Sequence, residues 1–412
     1  MRSILLALAF AAVAGAYPLD GYEATGIRRL DAYQLALDGK LARGLKLPEG
    51  ARLHTADIKL RLAGVNDSFD IGPDSPTDPE LQRKLASIFA GRDPSYSVAL
   101  LDITDPSKPR YAELRSEVKR IPGSLGKLLV ATGFFDALRL RFPGDTAARH
   151  AYLKDTVVPA DSFVHRDGKT VPIYEPGERT WTNRRIQTGD RFSLYEWLDH
   201  MLSVSSNAAG SFVWEQALLL RKFGPQYPVS AESKAAYFQA TPKADLRDQA
   251  LETLEIPLRA AGINTDNLRL GTFFTSNASN VIPGTASYGS PLELMRWLIK
   301  LEQGKIVDPW SSLEIKRLLY FSRPRYRYAS SPALNDAAVF FKSGSLFECE
   351  PEAGFTCKAY AGNKLNLMHS VIIVERPDQV YLVTMTSNVL RVNSAVEHQT
   401  VGTLIDRMMR AK

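Results

Sequence analysis

The chain has 412 residues, 45% of them hydrophobic and 23% charged, a balance that belongs to a globular protein and excludes a disordered or low-complexity one. Its net charge of +6 is spread along the sequence, which argues against nucleic-acid binding and suits at most a weak attraction to anionic envelope polymers. The six histidines stand singly, with no His-x-x-x-His pattern, so neither a metal nor another cofactor is expected.

The first 16 residues read as a secretory signal peptide: Arg2, an apolar run over 4–13, and the small-x-small site Ala14-Gly15-Ala16. That run is half the roughly 20 residues a membrane-spanning helix needs, and no later segment is long and apolar enough to span. A secreted or periplasmic protein is therefore expected. Residues 17–78 read as an N-terminal extension and linker, with a helix over 27–37, a strand over 56–62 and a Pro/Gly/Asp/Ser-rich linker over 66–79.

From residue 79 the pattern sharpens. A helix is predicted over 79–90, a strand over 96–103, a turn, and a second strand over 110–120. Residues 124–140 have helical periodicity, whereas 141–190 are polar and broken by Pro and Gly, which predicts an insertion with little regular structure. Ser193-Leu194-Tyr195-Glu196 is a capping-box signature opening a helix to about residue 202. Helices follow over 208–222, 243–261, 291–302 and 309–319. Strands return at 337–342, 365–375 and 379–387, and a helix over 394–409 closes the pattern.

Strands near both ends, with mostly helical sequence between them, predict an α+β protein, an α/β sandwich. Its antiparallel sheet is assembled from 79–120 and 336–412, and a helical part is inserted over 121–335. Cys349 and Cys357 flank a Pro/Gly turn, and in an oxidising compartment they are expected to form a disulfide.

Three short elements carry the chemistry: Ser124-Leu125-Gly126-Lys127, Ser205-Ser206-Asn207 and Lys342-Ser343-Gly344. A second Ser-x-x-Lys, Ser116 to Lys119, falls in strand-like sequence, where residues three apart face opposite ways. Ser124 instead opens an apolar helix, on which positions i and i+3 share a face. A serine hydroxyl needs a base to take its proton, and a lysine serves when burial and a second cation lower its pKa. Lys342, arriving on a strand, is a candidate for that cation.

In order and surroundings these elements resemble the penicillin-binding proteins and serine β-lactamases, with a class A β-lactamase-like fold. Their set is Ser-x-x-Lys, Ser-Asp-Asn and Lys-Thr-Gly. Here Ser206 stands for Asp and Ser343 for Thr, and the resemblance runs from about residue 79 onward. It implies Ser124 as nucleophile, Lys127 as base and Ser205 as proton relay to the leaving nitrogen. It also implies Asn207 on the substrate amide, Lys342 and Ser343 on its carboxylate, Gly344 allowing close approach, and an oxyanion hole from the backbone N–H groups of Ser124 and Ser345. The Glu-x-x-Leu-Asn loop of class A β-lactamases has no counterpart, because Thr275-Ser276-Asn277-Ala278-Ser279-Asn280 holds no carboxylate to activate a deacylating water. The expected substrates are D-Ala-D-Ala-type peptidoglycan peptides or β-lactam amides. The alternatives are a divergent class A-type β-lactamase and a catalytically silent penicillin-binding or sensor protein.

Overall fold

The computed structural model describes residues 18–321 and 324–411, so the expected signal peptide lies outside the described residues. Five strands form one antiparallel sheet: β1 (Ser97–Asp102), β2 (Arg110–Leu114), β3 (Ala338–Glu348), β4 (Leu365–Arg376) and β5 (Gln379–Asn388). Their order is β2-β1-β5-β4-β3, so the sheet is closed by pairing β1 from the early sequence with β5 from the late sequence. Alternation sorts the side chains onto two faces. Val98 and Leu100 of β1 join one core, while Ala99 and Leu101 join the other.

Twelve helices are named here in chain order: α1 (Arg28–Leu37), α2 (Pro79–Phe89), α3 (Gly126–Arg141), α4 (Thr146–Asp155), α5 (Leu194–Leu202) and α6 (Asn207–Phe223). They continue with α7 (Ala231–Ala240), α8 (Lys243–Ala260), α9 (Ser276–Val281), α10 (Pro291–Glu302), α11 (Pro309–Tyr320) and α12 (Ala395–Arg410). Helices α2 and α12 cover one face of the sheet. On the other side α3 is buried from Gly126 through Leu138, which explains why its sequence is apolar on every side. Helix α5 opens on the capping box read from the sequence, with Ser193 and Glu196 bonding each other's backbone N–H groups.

Several local expectations are corrected. Residues 56–62 form no strand, because they have no partner strand. A 3₁₀ turn, Thr55–Asp57, leads instead into backbone N–H groups of Arg61 and Leu62 that donate to Glu302. β2 ends at Leu114, where Arg115 takes a positive φ of 49°. The expected linker is packed: Gln303 donates to the carbonyls of Asn66 and Phe69, and Asp78 caps α2. The 141–190 segment contains α4 and short ladders, Val157–Pro159 with Arg191–Ser193 and Val171–Ile173 with Thr182–Arg184. Helices α7 and α9 lie where the sequence pattern predicts none. β3 runs on to Glu348, so Lys342-Ser343-Gly344 lies inside a strand rather than at its end.

The N-terminal segment joins both halves of the molecule. Arg29 of α1 pairs with Asp199 of α5 at 2.5 Å, both buried. Arg61 pairs with Glu375 of β4 at 2.6 Å. Cys349 and Cys357 are disulfide-bonded, with Cα atoms 5.9 Å apart, and close the β3–β4 connection.

Candidate active site

Pro122 ends the approach to the site, and a 3₁₀ turn, Gly123–Leu125, delivers Ser124 to the start of α3. One helical turn later, Lys127 is fully buried and its Nζ donates to Ser124 Oγ at 2.9 Å. The same Nζ donates to Asn207 Oδ1 at 2.8 Å and to the Ser205 carbonyl at 3.2 Å. The Phe274 ring covers it, 4.3 Å from Nζ to centroid. Burial, followed by the charges of Lys169 and Lys342, pushes the Lys127 pKa well below that of an ordinary lysine.

Ser205 lies between α5 and α6 with a φ of +62°, a strained setting for a residue with a side chain. Three lysines hold it. Lys342 Nζ donates to its Oγ at 2.7 Å, while Lys127 and Lys169 share its carbonyl, Lys169 at 2.8 Å. Ser206 stands where the resembled motif has Asp, and Asp167 supplies the missing carboxylate. Its Oδ2 accepts from Ser206 Oγ and from Ala208 N, each at 2.9 Å, which ties the turn to the 141–190 segment.

The third element arrives on β3. Gly344 is required by close approach: a Cβ there would lie 2.6 Å from the Pro122 carbonyl, so any side chain would force the strand away from the Ser124 turn. Beneath, His369 of β4 sits opposite Gly344 and donates through Nε2 to the Ile121 carbonyl at 3.0 Å. Burial lowers its pKa to about 4, which keeps the ring neutral at physiological pH. Ser343 and Ser345 line the cleft with Ser124 and Ser205.

The structure thus brings together Ser124, Lys127, Ser205, Asn207, Lys342, Ser343, Gly344 and Ser345. Ser116 and Lys119 do not meet: the Ser116 N–H donates to Glu113, and Lys119 reaches the Asp266 carbonyl. Sequence reasoning missed Asp167, Lys169 and Arg327, which follow no motif spacing. Arg327 donates to the Gly344 carbonyl at 2.6 Å, and burial lowers its pKa to about 10. The cleft these residues enclose has a volume of about 770 Å³, and neither Asp nor Glu is among its described lining residues.

No protein-family model and no curated protein sequence matches the chain. Solved structures do. A β-lactamase from Sphaerobacter thermophilus matches with a TM-score of 0.51 at 11% identity, covering 81% of this chain and 97% of that one. A class A β-lactamase from Bacteroides cellulosilyticus matches at 0.50 and 14% identity, covering 82% and 100%. A mutant of the class A β-lactamase of the last common ancestor of Gram-negative bacteria matches at 0.51 and 17% identity, covering 80% and 99%. The chain shares the fold of these β-lactamases, an antiparallel sheet flanked by helices.

Proposed function

We propose that this protein is an exported serine hydrolase that cleaves an amide through an acyl-enzyme on Ser124. The observation that carries this reading is the 2.9 Å hydrogen bond between Ser124 Oγ and a fully buried Lys127 whose pKa is held down by burial and by two further lysines. In its neutral form Lys127 takes the Ser124 proton as Oγ attacks the carbonyl carbon. The oxyanion is met by the backbone N–H groups of Ser124 and Ser345, and Asn207 holds the substrate amide. As the C–N bond breaks, Ser205 gives its proton to the leaving nitrogen and regains the one that Lys127 took from Ser124, while Lys342 holds Ser205 Oγ in place at 2.7 Å. The substrate carboxylate is held by Lys342, Ser343 and the neighbouring Arg327. The Cys349–Cys357 disulfide supports an exported, oxidising location.

Release of the acyl group is slow in this reading, because Phe274 covers Lys127 and the segment 275–280 brings no carboxylate. This favours peptidoglycan D-Ala-D-Ala-type peptides over β-lactams as turnover substrates. The test is intact mass after mixing with benzylpenicillin, followed over time. A long-lived adduct of one penicillin is expected on the wild type and none on Ser124→Ala. Absence of both adduct and hydrolysis would reject the enzyme reading, and release within seconds would favour a β-lactamase.

A further inference from the structure

Four basic side chains surround the cleft: Lys127, Lys169, Arg327 and Lys342. Each donates to neutral oxygens. Lys127 bonds Ser124, Ser205 and Asn207; Lys342 bonds Ser205 and the Ser343 carbonyl; Arg327 bonds the Gly344 carbonyl; Lys169 bonds the Ser205 carbonyl. Among the described residues none of the four forms an ion pair with a carboxylate. Asp167, the nearest carboxylate in sequence, attracts the Lys169 ammonium but forms no ion pair with it. It accepts from Ser206 Oγ, Ala208 N and the backbone N–H of Lys169, and not from its ammonium.

Lys127 and Lys342 lie behind the serine hydroxyls, whereas Lys169 and Arg327 line the cleft directly. They come from different walls. Arg327 stands with Ser343 and Ser345 on the β3 side, and Lys169 stands with Gly168 and Thr170 beside the Ser205–Asn207 turn. A substrate with one carboxylate engages the β3 side and leaves Lys169 with no hydrogen-bonded carboxylate of its own. A backbone carbonyl needs only a neutral donor, so holding Ser205 does not account for a desolvated ammonium there. An ammonium has three N–H donors, and the Ser205 carbonyl takes one of them. Burying a positive charge without a partner is costly, and an incoming anion removes that cost.

We infer that Lys169 forms a second anion subsite, and that the preferred substrates carry an additional carboxylate on the acyl side of the cleaved amide. The acyl side is assigned because Lys169 shares the wall of Asn207, so the inference rests on the acyl-enzyme reading for its polarity. Burial and the charge of Arg327 lower the Lys169 pKa, against the pull of Asp167, so a bound anion would raise it again.

Benzylpenicillin and carbenicillin form a matched pair of probes, differing by one carboxylate on the acyl side chain. Their non-covalent affinities are to be measured by calorimetry on Ser124→Ala, where acylation cannot intervene. Carbenicillin is expected to bind about tenfold more tightly, the worth of one charge-assisted contact. Adding Lys169→Gln should erase that preference, and Lys169→Arg should retain it, with circular dichroism showing both variants folded. Equal affinities, no binding of carbenicillin, or a preference that survives Lys169→Gln would overturn the inference. An equal loss for both probes in Lys169→Gln would also overturn it, by showing that Lys169 only holds Ser205. A wild type that prefers carbenicillin but forms no adduct would reject the acyl-enzyme while leaving the anion subsite standing.

Discussion

Two of the protein's cavities treat their cations in opposite ways. The first, about 610 Å³, lies between the N-terminal segment and the β4–β5 turn, and both of its arginines are paired: Arg61 with Glu375, and Arg376 with Asp336 and Asp406. Close by, the fully buried Lys316 sits between Glu302 at 2.6 Å and Glu375 at 2.5 Å. The second is the Ser124 cleft, where the equally buried Lys127 has a hydroxyl, a carboxamide and a carbonyl for company. Paired charge fixes the fold. Unpaired charge of one sign, held in place at a cost, is available for proton transfer and for anions.

The largest effects should come from exchanging each buried lysine for methionine. Lys127→Met is expected to slow acylation by benzylpenicillin by about 10²- to 10⁴-fold. Urea denaturation should show its stability unchanged or raised, since a buried amine with no carboxylate partner gives way to an apolar side chain. Lys316→Met should do the reverse, costing about 3–5 kcal/mol by leaving the buried Glu302 without a cation and Glu375 with Arg61 alone, while the folded fraction acylates normally. If Lys127→Met unfolded the protein and Lys316→Met did not, the distinction between the two regions would collapse.

Acid should weaken the fold beneath the cleft and in α5. His369 beneath the Ser124 turn and His200 beside Asp199 are buried, with pKa values lowered by burial to about 4 from an ordinary 6.5. A depressed histidine pKa favours the neutral folded form, so its stabilisation is complete above pH 6.5 and lost as pH falls toward 4. Each accounts for roughly 3 kcal/mol over that window. Thermal melts should shift steeply there, and His369→Gln should flatten part of the slope.

Smaller effects test the cleft alone. Gly344→Ala should slow acylation about tenfold, as the added methyl meets the Pro122 carbonyl; an unchanged rate would mean that strand and turn can separate freely. The finest test is the pH profile of acylation, whose acid limb follows deprotonation of Lys127. Removing a neighbouring positive charge favours the protonated lysine, so Lys169→Gln should move that limb to higher pH. A limb that stays in place would remove Lys169 from the electrostatics of the base.

Much of the architecture was legible because it depends on local pattern. The capping box at Ser193, the short apolar runs of β1 and β5 and the apolar helix after Ser124 all state their structure within a dozen residues. The three motif elements were legible for the same reason. What escaped depends on partners far away in sequence. The 56–62 segment alternates like a strand, yet its backbone donates to Glu302. Lys169 and Asp167 sit in a polar stretch that reads as loop, and only the folded chain brings them to Ser205 and Ser206. Arg327 likewise carries no motif and reaches the site through the Gly344 carbonyl.

Gly50 packs so closely that a Cβ on it would stand 1.9 Å from the Ala337 carbonyl oxygen, and its N–H donates to the Asn335 carbonyl at 2.9 Å. Together with Arg29 and Arg61, this contact makes residues 18–78 a missing piece for the rest of the chain rather than an attachment to it. A fragment starting at residue 79 would leave Asp199 without its arginine and the entry to β3, the strand that carries Lys342, uncovered. The two pieces have the properties of a complementation pair: apart, each should be unstable, and mixed, they should reassemble the cleft.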